Sequence, residues 1–277
     1  RDVLGSRGLG DVYKRQTPWE WHEELFHVAK EEGLICFSSP FDKTAVDMLE
    51  ALDCPVYKIA SFEITDIPLI EYAASKHKPM VLATGIATEE DIQLAVEACR
   101  RMGNNDITVL KCTSSYPAPV EEANLCMIRD LAERFQVKSG LSDHTLGSVS
   151  PIVAVTQGAS MIEKHFILNR SIGGPDCSFS MEEKDFAQMV KDVRMAELSL
   201  GKTTYELTEK MRGSRSASRS LYVAEDMKAG EVITERNVRS VRPGFGLHPK
   251  YLKDILGKNV NRDLEKGTRF ALEYVNG

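Results

Sequence analysis

From Thr17 to about Leu200, short apolar, β-branched runs alternate with longer stretches of helical periodicity, and this alternation limits the fold more than any single motif does. Strands separated by helix-length segments do not close as hairpins; they build repeated βα units around a parallel sheet. Six runs read as strands: Leu34–Ser39, Val56–Ser61, Met80–Gly85, Ile107–Ser114, Lys138–His144 and Met161–Phe166. Helical patterns fit between them, for example Thr44–Leu52, Pro68–Ser75, Glu89–Met102 and Met127–Phe135. Thr88-Glu89-Glu90-Asp91 is a helix start, because a hydroxyl caps free N–H groups and acids complement the positive end of the helix.

Each strand runs out into small or polar residues, such as Ser38-Ser39-Pro40, Ser61-Phe62-Glu63, Thr84-Gly85, Thr113-Ser114-Ser115, Ser142-Asp143-His144 and Lys164-His165-Phe166. That is the end at which a (β/α) barrel keeps its chemistry. A closed barrel of this type takes eight strands, so six units predict a (β/α)8 TIM barrel lacking its first two. A doubly wound open sheet is the alternative, weakened by the lack of a Gly-rich dinucleotide fingerprint after any strand. Residues 1–16 show no periodicity that the next segment continues, and they read as a non-native leader. Asp11-Val12-Tyr13-Lys14-Arg15-Gln16 matches the translation of a transposon adapter joined to a truncated frame. Genomic sequence encoding the same residues upstream of Thr17 would overturn that expectation.

The partial barrel is expected over residues 17–201, followed by a polar linker over 202–219 and a small β-rich module over 220–277. Within the module Asp226-Met227-Lys228-Ala229-Gly230 and Asp263-Leu264-Glu265-Lys266-Gly267 share one pattern, which predicts two related halves. A net charge of −6 supplies no broad cationic surface, which argues against nucleic acid or an anionic membrane as partner. The six cysteines form no CxxC pair, and no apolar run approaches the ~20 residues of a membrane span; a reduced, cytoplasmic enzyme is expected.

His144 and His165 close consecutive strands, which puts both imidazoles at one rim, within reach of a shared divalent metal such as Mn²⁺ or Mg²⁺. Either histidine alone would more often be structural. Lys58 lies inside the apolar run Val56-Tyr57-Lys58-Ile59-Ala60, where an ammonium needs an anion. Phosphate, a carboxylate from Glu63 or Glu163, and a Schiff-base role all remain open for it. Ser39, Ser61, Thr84, Ser114 and Ser142 recur at strand ends as a ring of hydroxyls suited to phosphate, although each taken singly reads as a turn residue or cap. Gly173-Gly174-Pro175-Asp176 would present Asp176 to sugar hydroxyls or simply turn the chain. Arg242-Pro243-Gly244-Phe245-Gly246-Leu247 is a stiff loop carrying a guanidinium.

Taken together, Ser38-Ser39-Pro40-Phe41, Tyr57-Lys58-Ile59-Ala60-Ser61-Phe62-Glu63, Gly140-Leu141-Ser142-Asp143-His144-Thr145, Glu163-Lys164-His165-Phe166 and Arg242-Pro243-Gly244 resemble the N-acetylneuraminate (sialic acid) synthase family. Thr17-Pro18-Trp19-Glu20-Trp21-His22 is similar to its pseudaminic acid synthase branch. The resemblance implies a barrel followed by an antifreeze-like SAF domain, in a homodimer whose Arg242 reaches the partner's barrel. It implies phosphoenolpyruvate held by Ser39, Lys58, Ser61, Thr84, Ser114 and Ser142, and a metal on His144 and His165. The acceptor amino sugar would lie near Phe41, Glu63, Tyr116, Asp176 and Arg242. Sialic acid members often have serine where this chain has Ala83, so that Thr84 takes over one phosphate contact or the contact is lost.

The implied reaction joins phosphoenolpyruvate to a deoxy-diacetamido sugar, with Lys58, Glu63, His144 and His165 as the catalytic set. N-acetylneuraminate and legionaminic acid synthases are alternatives, as are a Lys58 aldolase and a non-catalytic carbohydrate-binding protein. The 277-residue chain is expected to be inactive by itself, because part of the metal and phosphate surroundings belongs to the two strands it lacks; turnover in a phosphate-release assay would refute this.

Overall fold

In the computed structural model, which describes residues 17–174 and 176–276, the parallel sheet holds five strands in sequential order. They are β1 (Tyr57–Ile59), β2 (Met80–Ala83), β3 (Ile107–Cys112), β4 (Lys138–Asp143) and β5 (Ile162–Lys164). The register runs Lys58↔Val81, Val81↔Thr108, Leu110↔Gly140 and Asp143↔Lys164. The chain divides into two compact units, Arg1–Gly201 and Lys202–Gly277. The leader expected at residues 1–16 lies outside the described residues.

One expected strand is reduced. Leu34–Ser39 pairs only through the bridge Ser38↔Tyr57, and Leu34 and Ile35 are exposed. No described strand lies on its outer side, so the run has one partner and no second surface to bury against. The other five strands fall where expected but stop one or two residues short, which leaves Ser61, Gly85, Ser114, His144 and His165 in the segments that follow them.

Helices α1 (Trp19–Glu31) and α2 (Lys43–Ala51) precede β1, and α3 (Ile67–Ala74), α4 (Glu89–Arg101), α5 (Met127–Phe135), α6 (Val149–Thr156) and α7 (Glu183–Leu200) lie between and after the strands. At α4 the start signal closes as a reciprocal cap: the Asp91 amide donates to Thr88 Oγ1 (3.2 Å) and the Thr88 amide to Asp91 Oδ2 (2.9 Å). Asp42 caps α2 and Asp66 caps α3 through their carboxylates.

Strand alternation sorts the two faces of the sheet. Tyr57, Ile59, Met80, Leu82, Ile107 and Val109 point to the helices and pack with Val46, Leu49, Ile70, Val96 and Leu131 in the main core. Lys58, Ala83, Cys112, Gly140, Ser142 and Glu163 alternate to the opposite face. Gly140 is required there because a Cβ would meet the Met161 carbonyl and come within 2.7 Å of Leu110 Cδ2.

The second unit carries α8 (Glu209–Ser214), inside the segment read as a linker, then β6 (Ser220–Val223), the antiparallel β7 (Val238–Val241) and α9 (Leu252–Ile255). Its core is Leu221, Val223, Met227, Ile233, Val238, Ile255, Val260, Leu264 and Phe270. The two sequence repeats pair reciprocally. The Lys266 amide donates to Asp226 Oδ1 (2.7 Å), the Ala229 amide donates to Asp263 Oδ1 (2.8 Å), and Met227 bridges Leu264. Gly230 and Gly267 close the two repeats at φ +87° and +88°, a left-handed conformation that favours glycine.

Gly140→Ala is expected to destabilise the first unit by about 1–3 kcal/mol, because the added methyl is forced against backbone. Chemical denaturation of the variant beside the unaltered chain measures it.

Candidate active site

Glu163 is the charged centre of the sheet's polar face. Its Oε1 accepts from Lys58 Nζ (2.8 Å), and the Ser142 hydroxyl donates to the same oxygen (2.7 Å). Lys58, on β1, thereby meets a carboxylate on β5 across three intervening strands, and the open pairing question is answered by Glu163 rather than Glu63. Ser142 lies on β4 between them and is buried.

The two histidines stand beside this group, their ring centroids 5.1 Å apart. Tyr116 covers them, 4.3 Å from His144 and 6.2 Å from His165, and Phe179 lies 4.9 Å from His165. His144 Nδ1 sits 2.9 Å from the Thr113 carbonyl. A carbonyl only accepts, so Nδ1 carries the proton and the Nε2 lone pair is left for another partner.

Burial alone would push His144 down. Its contacts with Cys112 and with the Thr113 carbonyl outweigh that and leave it above the usual imidazole value. Burial lowers His165, and the neighbouring His144 lowers it further, which favours the neutral, lone-pair-bearing ring. Asp176 Oδ2 is 3.8 Å from His165 Nδ1, beyond hydrogen-bond reach.

This donor set fits a divalent cation held by two imidazoles, with its remaining positions open to substrate oxygens and water. No cluster of three or more His, Cys, Asp or Glu side chains able to hold a metal occurs among the described residues.

The hydroxyls expected to hold phosphate are not alike. Ser61 Oγ is buried and accepts from the Gly85 amide (3.1 Å), which leaves its own proton to donate. Ser114 Oγ is buried with no partner. A Cβ on Gly85 would run into Ser114 Oγ and come within 2.8 Å of Ser61 Oγ, so glycine keeps the space between the two hydroxyls open. Thr84 differs: its hydroxyl donates to the Leu110 carbonyl (3.0 Å) on the helix side of the strand, so its single proton is already used. Ser39 is half-buried after the Ser38 bridge.

Among the residues expected near a sugar, Phe41 and Tyr116 are exposed, as is Asp176. Glu63 follows Ser61 in a single 3-10 turn, and its Oε2 is buried without a partner. Arg242 is exposed in the second unit, where β7 gives way to Pro243.

Sequence reasoning weighed Glu163 only as a lysine partner. The missed signal is the two-residue spacing Glu163-x-His165, which puts both side chains on one face at the end of a strand. Cys112, beside His144, and Phe179 were missed as well; nothing in their local sequence separates them from core residues.

The NeuB family model matches residues 6–205 and the SAF domain model residues 218–269, and the chain belongs to the NeuB family. It is 50% identical over 272 residues to pseudaminic acid synthase of Helicobacter pylori, covering 98% of this chain and 80% of that protein. It is 45% identical over 263 residues to the enzyme of the same name from Campylobacter jejuni serotype O:23/36, covering 95% and 77%. Among solved structures, the N-acetylneuraminic acid synthetase of Leptospira borgpetersenii in complex with citrate aligns at a TM-score of 0.71 and 29% identity, covering 76% of this chain and 74% of that one.

Burial holds the Glu63 carboxyl above the ordinary glutamate range, and the charge of Asp66 adds to the shift. The folded chain then binds the extra proton more tightly than the unfolded one. The stability this contributes is fully present below about pH 4.3 and is lost as pH rises through the raised value. Glu63→Gln should remove that loss, so urea midpoints of the variant relative to the unaltered chain should climb between pH 4 and pH 7.

Proposed function

We propose that the chain catalyses the condensation of phosphoenolpyruvate with 2,4-diacetamido-2,4,6-trideoxy-L-altrose, giving a nonulosonic acid and phosphate. The observation that carries this reading is the meeting of the His144–His165 pair with the Lys58–Glu163–Ser142 group at the C-terminal ends of parallel strands. The likeness to two pseudaminic acid synthases supports the choice of sugar.

In this reading Lys58 Nζ, with Ser61, Ser114 and Ser142, receives the phosphate, and Glu163 gives up part of its hold on Lys58 as the anion arrives. Ser39 lies at the outer edge of the same group. His144 and His165 would hold a divalent metal such as Mn²⁺ or Mg²⁺, which would supply Lewis-acid polarisation of the sugar aldehyde. C3 of phosphoenolpyruvate attacks the aldehyde carbon; a C–C bond forms and C2 gains positive character. Water adds at C2, the phosphate leaves, and the 2-keto acid remains. Tyr116 and Phe179 shield the rings from bulk water on one side, and Glu63, Phe41 and Asp176 meet the sugar. Positioning two bound substrates contributes much of the rate. A homodimer completes the reading, with Arg242 serving the sugar site of the other subunit.

No helix among the described residues is long and apolar enough to cross a membrane. The related legionaminic acid synthase of Legionella pneumophila, 33% identical, marks the neighbouring alternative in acceptor sugar.

The test is phosphate release from phosphoenolpyruvate, with and without Mn²⁺, by the chain expressed with any coding sequence that adjoins it in its genome. Metal-dependent release with the diacetamido-trideoxy-altrose and not with N-acetylmannosamine is expected. His144→Ala should lower the rate by roughly 10²-fold or more, as loss of a positioned electrophile does. Mixing His144→Ala with Arg242→Ala subunits should restore part of the activity. Release with N-acetylmannosamine alone would move the protein to the sialic acid branch, and release with neither sugar would overturn the reading.

A further inference from the structure

Behind the two histidines, on the helix side of the sheet, a second ion pair is shut away from water. Asp143 and Lys164 are directly opposed across β4 and β5, and their side chains are 2% and 1% exposed. Lys164 Nζ donates to Asp143 Oδ2 (2.5 Å) and to the Thr145 carbonyl (2.5 Å), while Asp143 Oδ1 accepts from the Thr145 amide (2.9 Å). The Thr145 hydroxyl donates to Ser150 Oγ (3.0 Å), at the start of α6.

His144 lies between Asp143 and Thr145, and His165 directly follows Lys164. One ammonium therefore ties the segment carrying the first histidine to the strand carrying the second. The carbonyl of His144 is itself held by the Ala118 amide (2.9 Å), and that of His165 by the Met181 amide (2.9 Å). A buried pair of this kind gives up much of its attraction to desolvation, and well-packed apolar residues often serve stability as well. What apolar residues cannot do is accept from the Thr145 amide and fasten the Thr145 carbonyl to the adjacent strand.

We propose that Asp143 and Lys164 are positioning residues that hold His144 and His165 at the separation and orientation a shared divalent cation needs. The proposal rests on the metal reading of the two histidines given above. Groups that orient metal ligands from behind typically change affinity by roughly 10–100-fold when removed, and that is the effect expected here.

The test uses the chain in the same extended form as the phosphate-release assay and compares it with Lys164→Met and with the double variant Asp143→Asn/Lys164→Met, which removes both charges and so leaves no lone buried ion. Three quantities are read: Mn²⁺ affinity from the free-ion electron paramagnetic resonance signal, phosphoenolpyruvate affinity by titration calorimetry without metal, and the His144 Nδ1–H resonance in metal-free protein. In the double variant a cooperative melt should survive and phosphoenolpyruvate affinity should stay within about twofold, since Lys58, Ser142 and Glu163 face the other way. The Mn²⁺ dissociation constant should rise roughly 10–100-fold, and the Nδ1–H resonance should broaden or vanish as His144 loses its fixed hold on Thr113.

Unchanged Mn²⁺ affinity and an unchanged Nδ1–H signal in a folded variant would overturn the proposal. So would an equal fall in both affinities, which marks general loosening, or unfolding of both variants, which assigns the pair to folding alone. If the unaltered chain binds Mn²⁺ no better than His144→Ala, the metal reading itself fails, and the Nδ1–H resonance still decides whether the pair holds His144.

Discussion

Two lysine–carboxylate pairs sit on opposite faces of one sheet, and the arrangement of the first unit follows from them. Glu163 and Lys164 are consecutive on β5, as Ser142 and Asp143 are on β4, so the pleat sends one of each to either side. Toward the polar face, Glu163 gathers Lys58 and Ser142. Toward the helices, Lys164 gathers Asp143 and the backbone of Thr145. Neither lysine can be taken from water without its partner, because an unpaired buried ammonium is far costlier than a paired one. The strand register is thereby tied to the chemistry: a one-residue slip of β5 would exchange the two faces and strand both charges.

The polar face differs from an ordinary core in leaving some of its groups unsatisfied. Ser114 Oγ and Glu63 Oε2 are buried without partners, and Gly85 keeps a gap that any side chain would fill. Buried polar atoms are usually bonded, so these two are candidates for a ligand contact; a third unpaired atom, Ser139 Oγ, lies on the helix side of β4. Tyr116, Phe179 and the two imidazoles form one cluster of rings beside the C-terminal ends of β4 and β5.

The second unit shows the same economy on a smaller scale. Its two D-Φ-x-x-G repeats satisfy each other, each aspartate accepting the amide at the fourth position of the other repeat. A small module with few core residues gains from such reciprocal bonds, since its apolar core alone contributes little net stability.

Much of this was legible in the residues. Strand positions from Val56 onward, the α4 cap, the pairing of His144 with His165 and the two-repeat module all follow from local rules: period-two alternation, capping chemistry and turn-forming glycine. The comparison fails where partners come from far along the chain. Leu34–Ser39 looks as strand-like as its neighbours, but a strand is made by what lies on both sides of it, and only the bridge at Ser38 forms. Thr84 fits the hydroxyl ring by position, yet the pleat turns it to the Leu110 carbonyl. The choice of Glu163 over Glu63 for Lys58, 105 residues away, was decided only when β1 and β5 came to lie in one curved sheet. Sequence determines which side chains share a face, because that depends on the local repeat of the backbone; which of them meet depends on sheet order and curvature, which the whole chain sets together.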